Sequence, residues 1–166
     1  MKRIDKENYY LDIAETVLER STCLRRCYGA IIVKNDEIVS TGYNGAPRGR
    51  VNCNELGYCV REKLKIPSGE RYELCRSVHA EANAIISAAR SECIGSSLYL
   101  CCKDAVTGEL VSNTTCCSMC RRLVINAGIS KVYIRNTPKQ YVEVDVEDWI
   151  KNDESLEGIS AGVNKT

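Results

Sequence analysis

Apolar positions recur at helical spacing over residues 6–20, where Leu11, Ala14, Val17 and Leu18 fall on one face and predict an amphipathic first helix. Two β-branched runs follow at 30–33 and 38–40, joined by Lys34-Asn35-Asp36-Glu37, which is the pattern of a hairpin. The next stretch, G-Y-N-G-A-P-R-G-R at 42–50, carries glycines and a proline that predict irregular chain, and irregularity continues to about residue 76. A loop of that length inside a compact unit serves a function or is pinned by a metal or a partner. Residues 79–90 are Ala-rich and predict one helix, and 98–101 predict a strand. A small hairpin insertion is expected at 104–111, with Thr107-Gly108 at its tip. A further helix is expected at 117–127, stopped by Gly128. Strands are expected at 131–135 and 141–144, and a short helix with Trp149 at 146–151.

A starting hairpin followed by helix, strand, helix and strand implies a mixed sheet covered on both faces. The expected fold is therefore a three-layer α/β/α sandwich around a central mixed five-stranded sheet. Residues 1–151 are read as one domain and 152–166 as a disordered polar tail. The 166 residues suffice for a real core, although there is no Phe and one Trp. Lys plus Arg number 23 against 22 Asp plus Glu, a net charge of +1, which argues against a dedicated nucleic-acid binder. No stretch approaches the ~20 apolar residues of a membrane helix. The charged first ten residues lack the apolar core of a secretory leader, so the expected compartment is the cytoplasm. In a reducing compartment eleven cysteines read as metal ligands and buried thiols rather than disulfides.

The chemistry concentrates on the one histidine, His79, in V-H-A-E, and on C-C-S-M-C further along. His79, Cys117 and Cys120 form a three-ligand zinc set that leaves a fourth position for water, lowering its pKa toward ~7 and making hydroxide at neutral pH. Cys117 and Cys120 project from one face at a helix start, where the dipole favours thiolates. Glu81, a non-ligand carboxylate, is the expected proton shuttle. His79 and Glu81 are two residues apart, so both reach one site only if His79 lies in the entry turn of its helix. His-x-Glu followed by Pro-Cys-x-x-Cys is the signature of zinc nucleobase deaminases, in which hydroxide attacks C4 of cytosine or C6 of adenine, and this chain matches it apart from the proline.

From Cys23 to about Tyr133 the chain resembles the deoxycytidylate deaminases. The resemblance is carried by C-x-x-x-x-Y-G-A-I-I-V (from Cys23), S-T-G-Y-N-G-A-P-R-G (from Ser40), R-S-V-H-A-E-A-N-A-I (from Arg76) and C-S-M-C-R-R-L-V-I-N-A-G-I (from Cys117). It implies a cytidine deaminase-like fold, deamination of dCMP to dUMP for thymidylate synthesis, and a homo-oligomer between dimer and hexamer. It also implies that Asn44 bonds the nucleotide near its sugar, that Ala80 lies beside the base, and that Gly45 lets the backbone approach the ligand. Arg48 and Arg26 are candidates for the phosphate because a planar guanidinium matches its oxygens. Tyr133 is a candidate to pack on the base. Arg90 matches a position linked to regulation by dCTP and dTTP. Relatives carry a second, structural zinc, for which Cys23 and Cys53 match ligand positions, with Cys59 and Cys75 to complete the set. The pattern has proline before the first zinc cysteine, where this chain has Cys116. That thiol opens two outcomes, altered geometry or competition for the metal.

Two other readings remain open at this stage. One is a related zinc deaminase acting on guanine, cytosine or tRNA adenosine. The other is a catalytically weak, zinc-stabilised nucleotide-binding protein, such as an accessory to DNA uptake.

Overall fold

The computed structural model describes residues 1–157. Asp5 caps α1 (Lys6–Leu18) by accepting the Asn8 N–H at 2.9 Å, and Tyr10, Leu11, Ala14 and Leu18 are buried along one face. The hairpin forms β1 (Arg26–Lys34) and β2 (Glu37–Tyr43). Asn35 and Asp36 turn it with φ of 51° and 65°, the two positive values that a two-residue type I′ turn requires. β2 takes in Gly42 and Tyr43, which the glycine-rich pattern had placed in irregular chain. Beyond it, the long connection holds only α2 (Cys53–Leu56), α3 (Val60–Lys63) and a 3₁₀ turn at Tyr72–Leu74.

The stretch expected as one helix over 79–90 is two, α4 (Ala80–Ile86) and α5 (Arg90–Cys93). Ala89 is extended at φ −71° and ψ 146°, and the Glu92 carboxylate accepts its N–H at 3.1 Å, so a fresh helix start interrupts the alanine-rich run. Arg90 therefore opens its own short helix and does not ride on the helix after His79. The chain continues through β3 (Ser97–Asp104), α6 (Ser118–Ala127), β4 (Lys131–Thr137), β5 (Gln140–Asp145) and α7 (Val146–Lys151). The expected insertion hairpin reduces to a turn closed by an isolated Lys103–Leu110 bridge.

The five strands lie in the order β2-β1-β3-β4-β5. β1 is antiparallel to β2 and β3, β4 is antiparallel to β5, and β3 runs parallel to β4, which requires the crossover through α6. Strand alternation separates two cores. Ala30, Ile32, Leu98, Leu100, Val132 and Ile134 pack under α4, α5, α6 and α7, whereas Ile31, Val33, Tyr99, Cys101 and Tyr133 pack under α1. The result is the α/β/α sandwich.

Two glycines let helices rest directly on the sheet. A Cβ at Gly29 would lie 2.1 Å from the Ala14 carbonyl oxygen on α1. One at Gly42 would lie 2.3 Å from the Ala80 carbonyl oxygen and 2.4 Å from the Ala84 nitrogen on α4. These neighbours are backbone and cannot rotate away. Gly42→Ala is therefore expected to lower unfolding stability by about 1–3 kcal/mol, the usual cost of overpacking, measured as a reduced urea midpoint. An unchanged midpoint would show that α4 lifts off the sheet freely.

At the far edge Arg135, 1% exposed, donates to Asn8 Oδ1 at 2.6 Å and to the Pro138 carbonyl at 2.8 Å, and pairs with Asp12. It pins α1 to the β4–β5 turn with its charge compensated. The polar tail is ordered further than its composition suggests: a 3₁₀ turn forms at Glu154–Leu156, and Glu154 pairs with Arg121 on α6. The rest of the expected tail, 158–166, lies outside the described residues. Among the described residues no helix is long and apolar enough to cross a membrane.

Candidate active site

His79 is the N-cap of α4, with extended φ and ψ of −71° and 156°, and Cys117 is the N-cap of α6 in the same conformation. Both side chains thus stand before the helical register begins. This meets the geometric demand set by the two-residue gap between His79 and Glu81: the cap turns His79 one way while the first helical turn carries Glu81 to the same place. His79 Nδ1 lies 3.4 Å from both Cys117 Sγ and Cys120 Sγ. These three ligand atoms lie within 4.8 Å of one another. One nitrogen and two sulfurs at such separations suit the edges of a tetrahedron around zinc, with a corner left over.

The electrostatics favour an anionic sulfur at Cys117, while its hydrogen bond to that sulfur and then burial hold the Cys120 thiol up. A hydrogen bond from Cys120 and another from His79 bring the Cys117 thiol down to about 4 against the opposing effect of burial. Reciprocally, Cys117 and then Cys75 raise the His79 imidazole to about 10. Burial pushes the Cys75 thiol up, but its hydrogen bonds to His79 and to the Ser77 backbone outweigh this, and the net shift is downward. Glu81 is 4% exposed, and burial raises its carboxyl above the ordinary range despite the nearby His79. Cys116 is 1% exposed, packs in the core beneath the sheet-facing helices and hydrogen-bonds to Glu81. It is not one of the three converging donors. The thiol at the expected proline position therefore turns toward the glutamate, and the donor pair with His79 is Cys117 and Cys120.

A cavity of about 200 Å³ opens in front of this set, with His79, Glu81 and Cys117 in its wall. Asn44 lines it and is 5% exposed. Its Oδ1 accepts from Ser21 Oγ at 2.6 Å and from the Tyr28 N–H at 2.8 Å, and its Nδ2 donates to the Arg26 carbonyl at 2.8 Å. The chain thus holds the amide rigidly and leaves one amide N–H for a ligand. Arg26 is also in the wall, paired with Asp104.

Other sequence expectations are corrected. Gly45 lines no part of the cavity, and a Cβ there would meet Thr22 Oγ1 at 2.9 Å, so its small size serves the fold rather than ligand approach. Gly45 instead bridges Val78 through two backbone bonds, Gly45 N–H to Val78 O at 3.2 Å and Val78 N–H to Gly45 O at 2.8 Å. The Ala80 side chain is fully buried in the core beside Ala30 and Ile32. Arg48 is exposed and outside the cavity wall. Tyr133 stacks on Tyr99, centroids 4.8 Å apart, on the α1 face of the sheet. Its odd parity relative to Val132 and Ile134 turns it away from the site. Arg90 donates to the Asn126 carbonyl at 2.9 Å and borders a separate shallow hollow with Ile85 and Leu123.

The second cysteine set is near the pocket but does not close. Cys23, Cys59 and Cys75 line the cavity and Cys53 is buried, its thiol raised by burial and then by Cys23 and Cys75. Among the described residues, no three of these sulfurs lie within 4.8 Å of one another. Cys75 faces His79 instead. One metal ion per chain is accordingly expected by elemental analysis of the purified protein, and a ratio near two would mean that these four cysteines close around a second ion.

Tyr28, Tyr72, Arg25 and Arg61 also line the cavity and were not singled out in the sequence. Tyr28 was within reach, because it shares strand parity with Arg26 and Ala30. Arg61 and Tyr72 sit in the long connection, where no periodicity assigns a direction.

Fold and donor set together define the class of zinc-site nucleobase deaminases. The chain belongs to the cytidine and deoxycytidylate deaminase family, whose zinc-binding region matches residues 4–136. It is 36% identical over 137 residues to the deoxycytidylate deaminase of Mycobacterium phage D29, a match covering 80% of this chain and 95% of that one. To the deoxycytidylate deaminase of Schizosaccharomyces pombe it is 33% identical over 126 residues, 76% of this chain, but it spans only 35% of that longer protein. Among solved structures, the dCMP deaminase of cyanophage S-TIM5 in complex with dCMP and dUMP is similar with a TM-score of 0.55 and 28% identity, over 81% of this chain and 85% of that one.

Proposed function

We propose that the protein is a zinc-dependent hydrolytic deaminase that converts dCMP to dUMP and ammonia, supplying dUMP for thymidylate synthesis. The observation that carries this reading is the buried Glu81 carboxyl opening onto the same cavity as His79 and Cys117. The relatives support the substrate: those described above are deoxycytidylate deaminases, and the cyanophage enzyme binds dCMP and dUMP.

His79 Nδ1, Cys117 Sγ and Cys120 Sγ would hold the zinc. Bound zinc supplies the Lewis acidity that makes water a nucleophile near neutral pH. The remaining work belongs to the chain. Water adds its oxygen to C4 of the pyrimidine, and Glu81 accepts the proton that water sheds. Glu81 returns that proton to N3, and a second proton from the same oxygen reaches the amino nitrogen, which leaves as ammonia while C4 becomes a carbonyl. A carboxyl whose proton affinity is raised by burial suits this alternation of base and acid. The Asn44 amide, fixed by three hydrogen bonds, gives the nucleotide a rigid contact.

Ammonia release from dCMP, dCTP, deoxycytidine and guanine tests the proposal. Turnover greatest on dCMP is expected. No turnover on any of the four by zinc-loaded protein overturns it, and turnover greatest on guanine or dCTP reassigns the substrate.

A further inference from the structure

We propose that Arg61 recognises the phosphate of the substrate and so sets the preference for a nucleoside 5′-phosphate over a nucleoside. The inference rests on the deaminase reading and names a specificity residue within it.

Arg61 lies on α3, in the connection between β2 and α4, and lines the same cavity as Glu81 and His79. It is only 5% exposed. A cation buried to that extent ordinarily has a carboxylate beside it. The other two arginines of the cavity have one: Arg25 pairs with Glu62 at 3.2 Å and Arg26 with Asp104. Among the described residues Arg61 has no carboxylate within ion-pairing distance. Its Nη2 donates to the carbonyl oxygens of Pro67, at 2.9 Å, and Glu70, while its buried Nε has no hydrogen-bond partner among the described residues. Beyond these carbonyl bonds the guanidinium has the Tyr72 ring beneath it and Glu73 acting on it from outside ion-pairing distance, so no carboxylate is bound to it directly. The guanidinium is thus oriented by its own loop and still short of an anion.

Its position suits a nucleotide. The guanidinium carbon sits 4.3 Å from the centre of the Tyr72 ring, and that ring meets the His79 imidazole edge-on at 5.7 Å. Those two contacts put the guanidinium at most about 10 Å from the imidazole, comparable with the reach of a nucleotide from base to 5′-phosphate. Tyr72 forms the wall between them. A phosphate dianion offers several oxygens to the planar fork, and charge-assisted bonds of this kind are among the stronger polar contacts. A nucleoside offers nothing equivalent.

The test compares kcat/KM for dCMP and deoxycytidine in the full-length zinc-loaded protein and in Arg61→Met and Arg61→Lys. In Arg61→Met the dCMP-to-deoxycytidine ratio is expected to fall about 100-fold, chiefly through KM for dCMP, with partial recovery in Arg61→Lys. A ratio unchanged from wild type, with both substrates falling together, would mean that Arg61 is only a bolt holding its loop, and the proposal fails. If the variants do not fold, wild-type protein labelled with ¹⁵N-arginine and titrated with dCMP carries the test. A buried Arg Nε–H resonance that shifts with dCMP and not with deoxycytidine supports the assignment, and no such shift overturns it. Absence of turnover on every substrate by wild type would instead refute the deaminase reading, and the titration reads Arg61 independently of turnover.

Discussion

Glu81→Gln is expected to lower kcat on dCMP by roughly 10³-fold or more while the zinc content stays at its wild-type value. The substitution preserves volume and leaves an oxygen that accepts a hydrogen bond from Cys116, so the buried surroundings of α4 need not rearrange. What it removes is the capacity to take a proton from water and give it back. Among the described residues no other carboxylate lines the cavity, so none of them stands ready to relay the proton. Steady-state ammonia release paired with elemental analysis separates loss of the shuttle from loss of the metal. Activity within tenfold of wild type would remove Glu81 from the reaction and leave the metal-bearing residues alone with the chemistry.

His79→Ala is expected to end turnover by another route, with the zinc-to-protein ratio falling below about 0.1 after dialysis. His79 is the chain's one histidine, so no second imidazole can take its place. Losing a direct ligand should exceed the 10–100-fold affinity loss typical of an outer hydrogen-bond partner. The competitor is Cys75, whose thiol already contacts the imidazole. Zinc retained in His79→Ala but lost in the His79→Ala/Cys75→Ala double variant would show that Cys75 swings in as a replacement. Zinc retained in both would show that the imidazole is not a ligand. Because metal binding stabilises whatever fold holds the donors, the zinc-depleted variant should also unfold at lower temperature than wild type.

Much of the scaffold was legible because strands and amphipathic helices write their burial into the sequence. The Asn35-Asp36 turn, the Leu11–Ala14–Leu18 stripe and the glycine that ends α6 each have a local cause. The metal donors were legible for a related reason: short fixed spacings at two helix starts leave little geometric freedom. What failed depended on competition that spacing does not express. Ala-rich chain from 79 to 90 favours a single helix by propensity, yet the Glu92 side chain captures Ala89 and starts another. Tyr133, a candidate to pack on the base, has the strand parity that faces α1 and belongs to that core. Arg48, within the Gly-rich stretch, is exposed and outside the cavity wall, whereas Arg61 lines the cavity through a loop path held by Pro67 and Glu70, which no spacing expresses. Asn44 was singled out for a ligand, but the three hydrogen bonds that hold it come from residues 16 to 23 positions away.

The paired backbone bonds between Gly45 and Val78 tie the strip that carries Asn44 to the strip that carries His79. Substitutions on one strip will therefore not add to substitutions on the other. Coupling energies of about 0.5–3 kcal/mol are usual for groups so connected, enough for a change near Asn44 to be tolerated in one background and disabling in another. Over evolutionary time, or in a directed-evolution library, residues 43–45 and 77–79 should change in concert, as a single inherited unit.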